Sequence, residues 1–552
     1  MDTVASPDDD FILKRVRRFN GIGLMVLIYG LFVFPVIAEP VTPAADPNRW
    51  QLTFEDHFNG TSLDASKWEA ATENRQGGKS AWNPNQVSVS DGFLRLGITK
   101  VVDPETGEII RYDCGAVRGR EGYSTVYKFK QKYGYYEARY KLPANINKDY
   151  WASFWLMAGP VISTTETKVG MEIDIMESFT LARQGTNSHT ANFHWAGYGD
   201  LHNKASIVLR GPSDDWAKNT MLNPAGEYHV YGFYWDQDVY VFYLDGIEIG
   251  RTNMVGIGDN VTKPDPPNPT KYPTFLANGT TQNEGYMLLS CEAATWAGRA
   301  GWEVDAPVVD AFYVDYVRIY DLKPKFVSDP FTGSRTTESA PYQESLAGMA
   351  TDANGGTLAF AKVSGPSWLS VATDGALTGT PSSSDVGLNS FEVSVSDGIS
   401  TVQSTLQITV RSFFNQWAAN ENLTFSGDAN QDHVPDGLAW LLGASLPSEK
   451  ANGRLPIPLR SAEGGLVLNF RSLKASKRGA ATLSLQFSSD LGQTDPWSNL
   501  AIPETSGTDP VTGVIFTITA NGDYNDVQAA TPANAAGEGG KLFSRLMAIG
   551  TP

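Results

Sequence analysis

Three acids fall within one apolar segment, Met171-Glu-Ile-Asp-Ile-Met-Glu-Ser-Phe179. Side chains on an extended strand alternate between its faces, so Glu172 and Asp174 share one face while Ile173 and Ile175 take the other. Glu177 falls on the wrong parity. One extra residue, a β-bulge around Met176, returns it to the face of the other two acids. The acids then line roughly 13 Å of surface, at about 3.3 Å of rise per residue. The outer two can lean inward until their carboxyls lie about 5–6 Å apart. At that separation one carboxylate attacks an acetal carbon while the other protonates the leaving oxygen. An acidic strand is more often a solvated outer face, because charged side chains are mostly exposed. Here the intervening Ile, Ile and Met make the opposite face a core face. Trp151, Phe154 and Trp155 before the segment, and His194, Trp195 and Tyr198 after it, mark the acidic face as a cleft.

The elements around this strand read as an all-β sandwich. Residues 46–322 contain short aromatic and β-branched runs separated by Gly, Asn, Asp and Pro, among them Val87–Ile98, Tyr133–Lys141 and His229–Leu244. The acidic nonapeptide resembles the Glu-x-Asp-x-x-Glu signature of family sixteen glycoside hydrolases, in the bulged form of laminarinases, agarases and carrageenases. Lichenases and xyloglucan transferases lack the extra residue. Trp50–Gly60 is similar to the family's first strand, Tyr133–Arg139 to its Tyr-Gly-Tyr-Phe-Glu-Ala-Arg strand with Tyr136 for the Phe, and Ser153–Leu156 to its Trp-bearing strand. Phe312–Arg318 is similar to its closing strand. The resemblance covers about half the chain and implies a β-jelly roll of two curved antiparallel sheets.

The same resemblance assigns roles. Glu172 is the expected nucleophile, Glu177 the acid/base, and Asp174 the residue that orients the nucleophile. Trp155 is the first candidate for an aromatic platform under a sugar ring, ahead of Trp151, and His194 and Trp195 resemble a cleft-facing family segment. Glu55 and Asp315 are candidates for a structural calcium site away from the chemistry. No cofactor is expected for catalysis. The expected activity is that of a retaining endo-β-glycanase on β-1,3-glucan of laminarin type. An agarase, porphyranase or carrageenase is the alternative, with segment Thr180–Lys204 unlike the short link of simple laminarinases. A lectin-like binder on the same sandwich is a third reading, against which all three acids stand.

At 552 residues the chain is too long for one core. Lys14, Arg15, Arg17 and Arg18 precede Gly21–Ala38, a run without charge. Residues 1–38 therefore read as a secretory signal peptide, with an uncleaved membrane anchor as the alternative, and the chain as secreted or held at the cell surface. Only Cys114 and Cys291 occur, as a pair or as two free thiols. The net charge of −18 argues against nucleic acid and anionic membrane as partners, leaving polysaccharide.

Residues 323–331 read as a linker. Residues 330–411 resemble a bacterial immunoglobulin-like module, with Asp397-Gly398 as a turn. In the remainder, 412–552, Asp428, Asn430, Asp432 and Asp436 occupy positions 1, 3, 5 and 9 of a loop resembling dockerin and thrombospondin-type calcium repeats. An Asx-rich turn without metal is the alternative there. A short amphipathic segment, Leu438–Leu442, follows, and the rest is expected to be β-rich.

Overall fold

The structure is a computed structural model. It describes residues 42–552 outside segments 76–78, 123, 143–149, 159–170, 178–188, 196–202, 210–225, 238, 253–260, 263–283, 294–310, 420–421, 537–538 and 551–552. The expected signal segment 1–38, the loop 263–272, Tyr198 and most of the link 180–204 lie outside the described residues. Among those described, no helix is long and apolar enough to cross a membrane.

Two eight-stranded antiparallel sheets build the first half of the chain. One runs Ile247–Thr252, Tyr240–Leu244, Tyr228–Trp235, Gly134–Lys141, Phe312–Leu322, Phe93–Leu96 and Val87–Ser90, with Trp50–Asp56 also pairing Phe312–Leu322. The other runs Val261–Thr262, Asn203–Leu209, His189–Trp195, Met171–Glu177, Tyr150–Ala158, Gly285–Ala293, Ala116–Arg118 and Glu69–Ala70. Their inner faces share one core, in which Ile173, Ile175, Met176 and Phe193 meet Phe233, Tyr240 and Phe242. The Phe193 ring stands 5.0 Å from that of Tyr240, so the sheets interdigitate as a jelly-roll sandwich.

The Tyr-Gly-Tyr motif has a steric reason. Gly134 has φ of +103°, and a Cβ there would stand 2.2 Å from the Tyr320 carbonyl oxygen. Only glycine lets the strand begin this close to its neighbour. Cys114 and Cys291 are both buried free thiols, and burial pushes the Cys114 thiol up to about 12.

A small sandwich follows. Its larger sheet contains Ala359–Ser364, Gly387–Ser396 and Thr401–Arg411, and its smaller one Tyr342–Ser345, Leu369–Val371 and Ala376–Gly379. Phe360, Leu377, Phe391, Val393 and Ile408 fill the space between them. The stretch expected as linker is structured, since Lys325–Phe326 pairs with Ala350–Thr351. The C-terminal part combines a five-stranded and a three-stranded sheet with three short α-helices. The expected amphipathic segment is instead the helix Asp436–Leu441, buried on every side, because it packs among Phe414, Phe470 and Leu485 rather than at the surface.

Candidate active site

The strand Met171–Glu177 carries the bulge. Phe154 pairs with Met176 and Trp155 with Asp174, leaving Ile175 as the extra residue, next to the Met176 around which it is expected. Ile175 and Met176 both enter the core, 1% and 0% exposed. Burying two consecutive apolar side chains is what holds the kink. The parity of Glu177 is thereby reset, and Ser153 becomes its cross-strand partner.

Hydrogen bonds then tie the acids to one face. Trp151 donates its Nε1–H to Glu177 Oε1 at 2.9 Å, and Asn192 donates its side-chain amide to Oε2. Asn192 lies opposite Asp174, and His194 opposite Glu172. His194 Nε2 stands 3.4 Å from Asp174 Oδ2. Glu172, Asp174, Glu177, Trp151 and His194 are thus brought together; the side chain of Trp195 lies outside the described residues.

Proton affinities follow from this packing. Burial pushes the Glu177 carboxyl well up, and the charges of Asp174 and Glu172 push further. The Asn192 hydrogen bond and His194 pull down but do not prevail. Asp174 is raised too, first by burial, then by the charge of Glu172 and a hydrogen bond to it. The arrangement raises the proton affinity of Glu177 and of Asp174, and Asp174 lies within hydrogen-bonding reach of Glu172. Glu172, Asp174 and His194 also place one ligand atom each within 4.8 Å of one another, close enough for a metal ion. The hydrogen bond between the two acids accounts for that closeness with a proton.

Three expectations are corrected. Trp155 is only 6% exposed, its Nε1–H goes to Ser290 Oγ at 3.1 Å, and its ring lies 6.4 Å from Trp82. It is a wall of the site rather than an open platform, because the Gly285–Ala293 strand covers it; Trp151, ranked behind it, touches the acid. Glu55 and Asp315 each sit against basic side chains. Glu55 faces His57 at 3.3 Å and Arg318 at 3.9 Å, with its carbonyl oxygen taken by the Lys67 ammonium at 2.7 Å, while Asp315 pairs with Arg139. A neighbouring cation already serves each. In the C-terminal loop the oxygens assigned to calcium accept the loop's own amides. Asp428 takes the N–H of Asp432 and of His433, Asn430 that of Asp432, Asp432 those of Val434 and Ala451, and Asp436 that of Ala429. Its geometry matches the Asx-turn alternative.

Sequence reasoning missed a second group on the same sheet. Glu292 pairs in register with Trp151 and is 2% exposed. Arg75 donates Nε–H to Glu292 at 3.0 Å and also bridges Glu73 at 3.0 Å, with its guanidinium 4.3 Å from the Trp82 ring. Arg118 joins Glu69 at 3.1 Å and Glu73 at 3.8 Å. Ser290 and Glu292 share parity within a fully buried strand. That is the signal that singled out Glu172 and Asp174, and it was legible. Asn192 was legible as well, two residues before His194 on the same face.

Comparisons with known proteins agree with this architecture. Residues 50–322 match the family described as beta-porphyranase A-D, GH16 domain, and residues 324–412 match a putative Ig domain. Beta-porphyranase E of Zobellia galactanivorans is 30% identical over 207 residues, covering 36% of this chain and 67% of that protein. Glucan endo-1,3-beta-glucosidase A1 of Niallia circulans is 25% identical over 301 residues, covering 51% of this chain and 39% of that protein. The endo-beta-1,3-glucanase structure from Pyrococcus furiosus is 20% identical, covering 49% of this chain and 94% of that one, with a TM-score of 0.35. Against the curated relatives that head the comparison, the chain spans 39% to 55% of their length. With the acid-bearing strand, its bulge and the matched span 50–322 in agreement, the chain belongs to glycoside hydrolase family sixteen.

Proposed function

We propose that residues 50–322 form a retaining endo-β-glycanase working by double displacement, with Glu172 as nucleophile and Glu177 as acid/base. The observation that supports this most is that the bulge at Ile175 puts Glu177 among Glu172, Asp174, Trp151 and Asn192, buried and holding its proton. Glu172 attacks the anomeric carbon while Glu177 gives its proton to the departing glycosidic oxygen. Glu177, now ionised, takes a proton from water, which attacks the anomeric carbon and releases Glu172. The hydrogen bond from Asp174 holds the Glu172 carboxylate in its attacking orientation, and His194 in turn steadies Asp174. Trp151 and Asn192 fix the plane of the Glu177 carboxyl.

The substrate reading is a neutral β-1,3-glucan. Arg75 and Arg118, the described arginines beside the site, are each shared between two carboxylates, which suits an uncharged chain better than a sulfated one. The porphyranase-type family match favours a second reading, an algal galactan. Reducing-sugar release from laminarin, agarose, porphyran and κ-carrageenan, measured side by side, decides between them. Cleavage of none of the four, together with tight binding of one, would replace hydrolysis with a lectin-like role. Residues 1–38 are proposed to direct export, on the strength of their basic start and uncharged run.

A further inference from the structure

The outer face of the sheet that carries Gly134–Lys141 is not the solvated surface an antiparallel sandwich commonly presents. Trp50, Tyr135, Tyr234, Val241, Tyr243 and Leu322 form a cluster there, separate from the main core, and each is at most 7% exposed. Trp50 meets Tyr135 and Tyr234 edge to face, at 5.7 and 5.9 Å. Alternation puts the neighbouring Tyr136, Tyr240 and Phe242 on the inner face, in the main core. Five strands bring the rings together at one end of the sheet. Trp50 pairs with Leu322, Tyr135 with Tyr320 and Tyr234, and Tyr234 with Val241.

At the junction, a segment of the immunoglobulin-like module covers this cluster. Ala353 packs against the rings, and Asn354 beside it donates its side-chain amide to Asp321 Oδ1 at 2.5 Å and to the Leu322 carbonyl at 3.5 Å. A Cβ on the next residue, Gly355, would stand 3.1 Å from Gln237 Oε1, so the module's backbone lies close against the turn after Trp235. Asp352 holds the segment in shape by accepting the N–H of Asn354 at 2.9 Å and of Gly356 at 2.7 Å. The connection between the two units has no slack. Lys323 N–H goes to the Arg49 carbonyl at 3.0 Å, and Arg49 Nη1 returns to the Lys323 carbonyl at 3.2 Å. Lys325–Phe326 already pairs with Ala350–Thr351 of the module.

Modules within one chain move relative to each other unless an apolar, well-packed contact joins them. Here one does. Without its cover, the ring cluster would be an open aromatic patch of the kind that drives association. We propose that the immunoglobulin-like module is a brace rather than a spacer: segment 352–356 seals the outer face of the catalytic sandwich, and the two unfold as one cooperative unit. The brace also backs the catalytic strand. Val241 and Tyr243 belong to the sealed cluster, while Tyr240 and Phe242, on the other side of the same strand, pack against Phe193. Phe193 pairs with Ile173, between Glu172 and Asp174.

The test follows hydrogen exchange along the full chain, peptide by peptide, through a urea titration. Gly134–Lys141 in the sandwich and Gly387–Ser396 in the module are expected to lose protection at the same urea midpoint. A module that opens at lower urea, with the sandwich still protected, would overturn the brace. Two variants separate coupling from coincidence. Leu377→Ala weakens the module's own core and is expected to shift both midpoints down together. A shift confined to the module would mean a spacer. Ala353→Asp puts a carboxylate among the rings and is expected to split the common midpoint in two. An unsplit, unshifted midpoint in that variant would also count against the brace. The native measurement needs no variant, so one that fails to fold leaves the test standing.

Discussion

Two groups of buried carboxylates, in one chain, differ in what surrounds them. At the bulged strand, Glu177 accepts from Trp151 and Asn192, and Asp174 lies beside His194 and shares a proton with Glu172. At the junction, Asp321 Oδ2 has no donor and faces a second carboxylate. Both raise proton affinity by burial and like charge, so the direction of a pKa shift does not separate them. Donors do. Carboxyls that each have a donor of fixed direction can pass a proton to and fro with their geometry held.

The largest effect separating the two groups is catalytic. Glu172→Gln and Glu177→Gln are each expected to lower kcat by roughly 10²–10⁴ or more, with little change in Tm, whereas Asp321→Asn leaves kcat intact. Reducing-sugar assays on the cleaved polysaccharide measure this, and full activity in Glu172→Gln would undo the assignment. Next in size is the role of the donors. Asn192→Ala removes a contact that lowers the Glu177 proton affinity, so the alkaline limb of the pH–rate profile moves to higher pH while kcat falls about tenfold. An unmoved limb with an unchanged rate would mean that the contact only fills space.

Stability gives the next contrast. The raised folded-state pKa of Glu177 contributes stability that is fully present below its ordinary 4.5 and is lost as pH rises through the folded value. Glu177→Gln should therefore become more stable relative to the native chain as pH rises above about 4.5. Urea titrations across that range measure it, and a gap that stays constant with pH would contradict the burial argument. The smallest effect comes from a third group of acids, the loop 428–436, whose oxygens accept backbone amides. Asp432→Ala is expected to cost about 1–2 kcal/mol in chelator and in calcium alike, by urea unfolding, because it strips acceptors from Val434 and Ala451. A cost that appears only with calcium would make that loop a metal site after all.

The acidic loop and the junction also show how far sequence patterns reach. Asp428, Asn430, Asp432 and Asp436 follow a recognisable spacing, yet each side chain accepts an amide of its own loop. Asp321 and Asn354 follow no spacing at all and meet only through folding. Within the catalytic sandwich, Trp155 and Trp151 share strand parity, four residues apart. Their ranking reversed because the neighbouring strand Gly285–Ala293 covers one ring and leaves the other reaching Glu177.

By itself the sequence determined what a strand's period and its breaks encode. Alternation placed Glu172 and Asp174 opposite a core face, the parity of Glu177 demanded a bulge, and separated motifs in order gave the family and the all-β class. Those signals are local, and two-residue periodicity survives without knowledge of partners. The tertiary structure decided which donors reach Glu177, which ring is covered, and that Arg75 joins Glu292. It also decided that Asp321, at the end of the catalytic sandwich, meets Asn354 of the small module. These depend on register and on contacts between residues far apart in the chain, which no local pattern records.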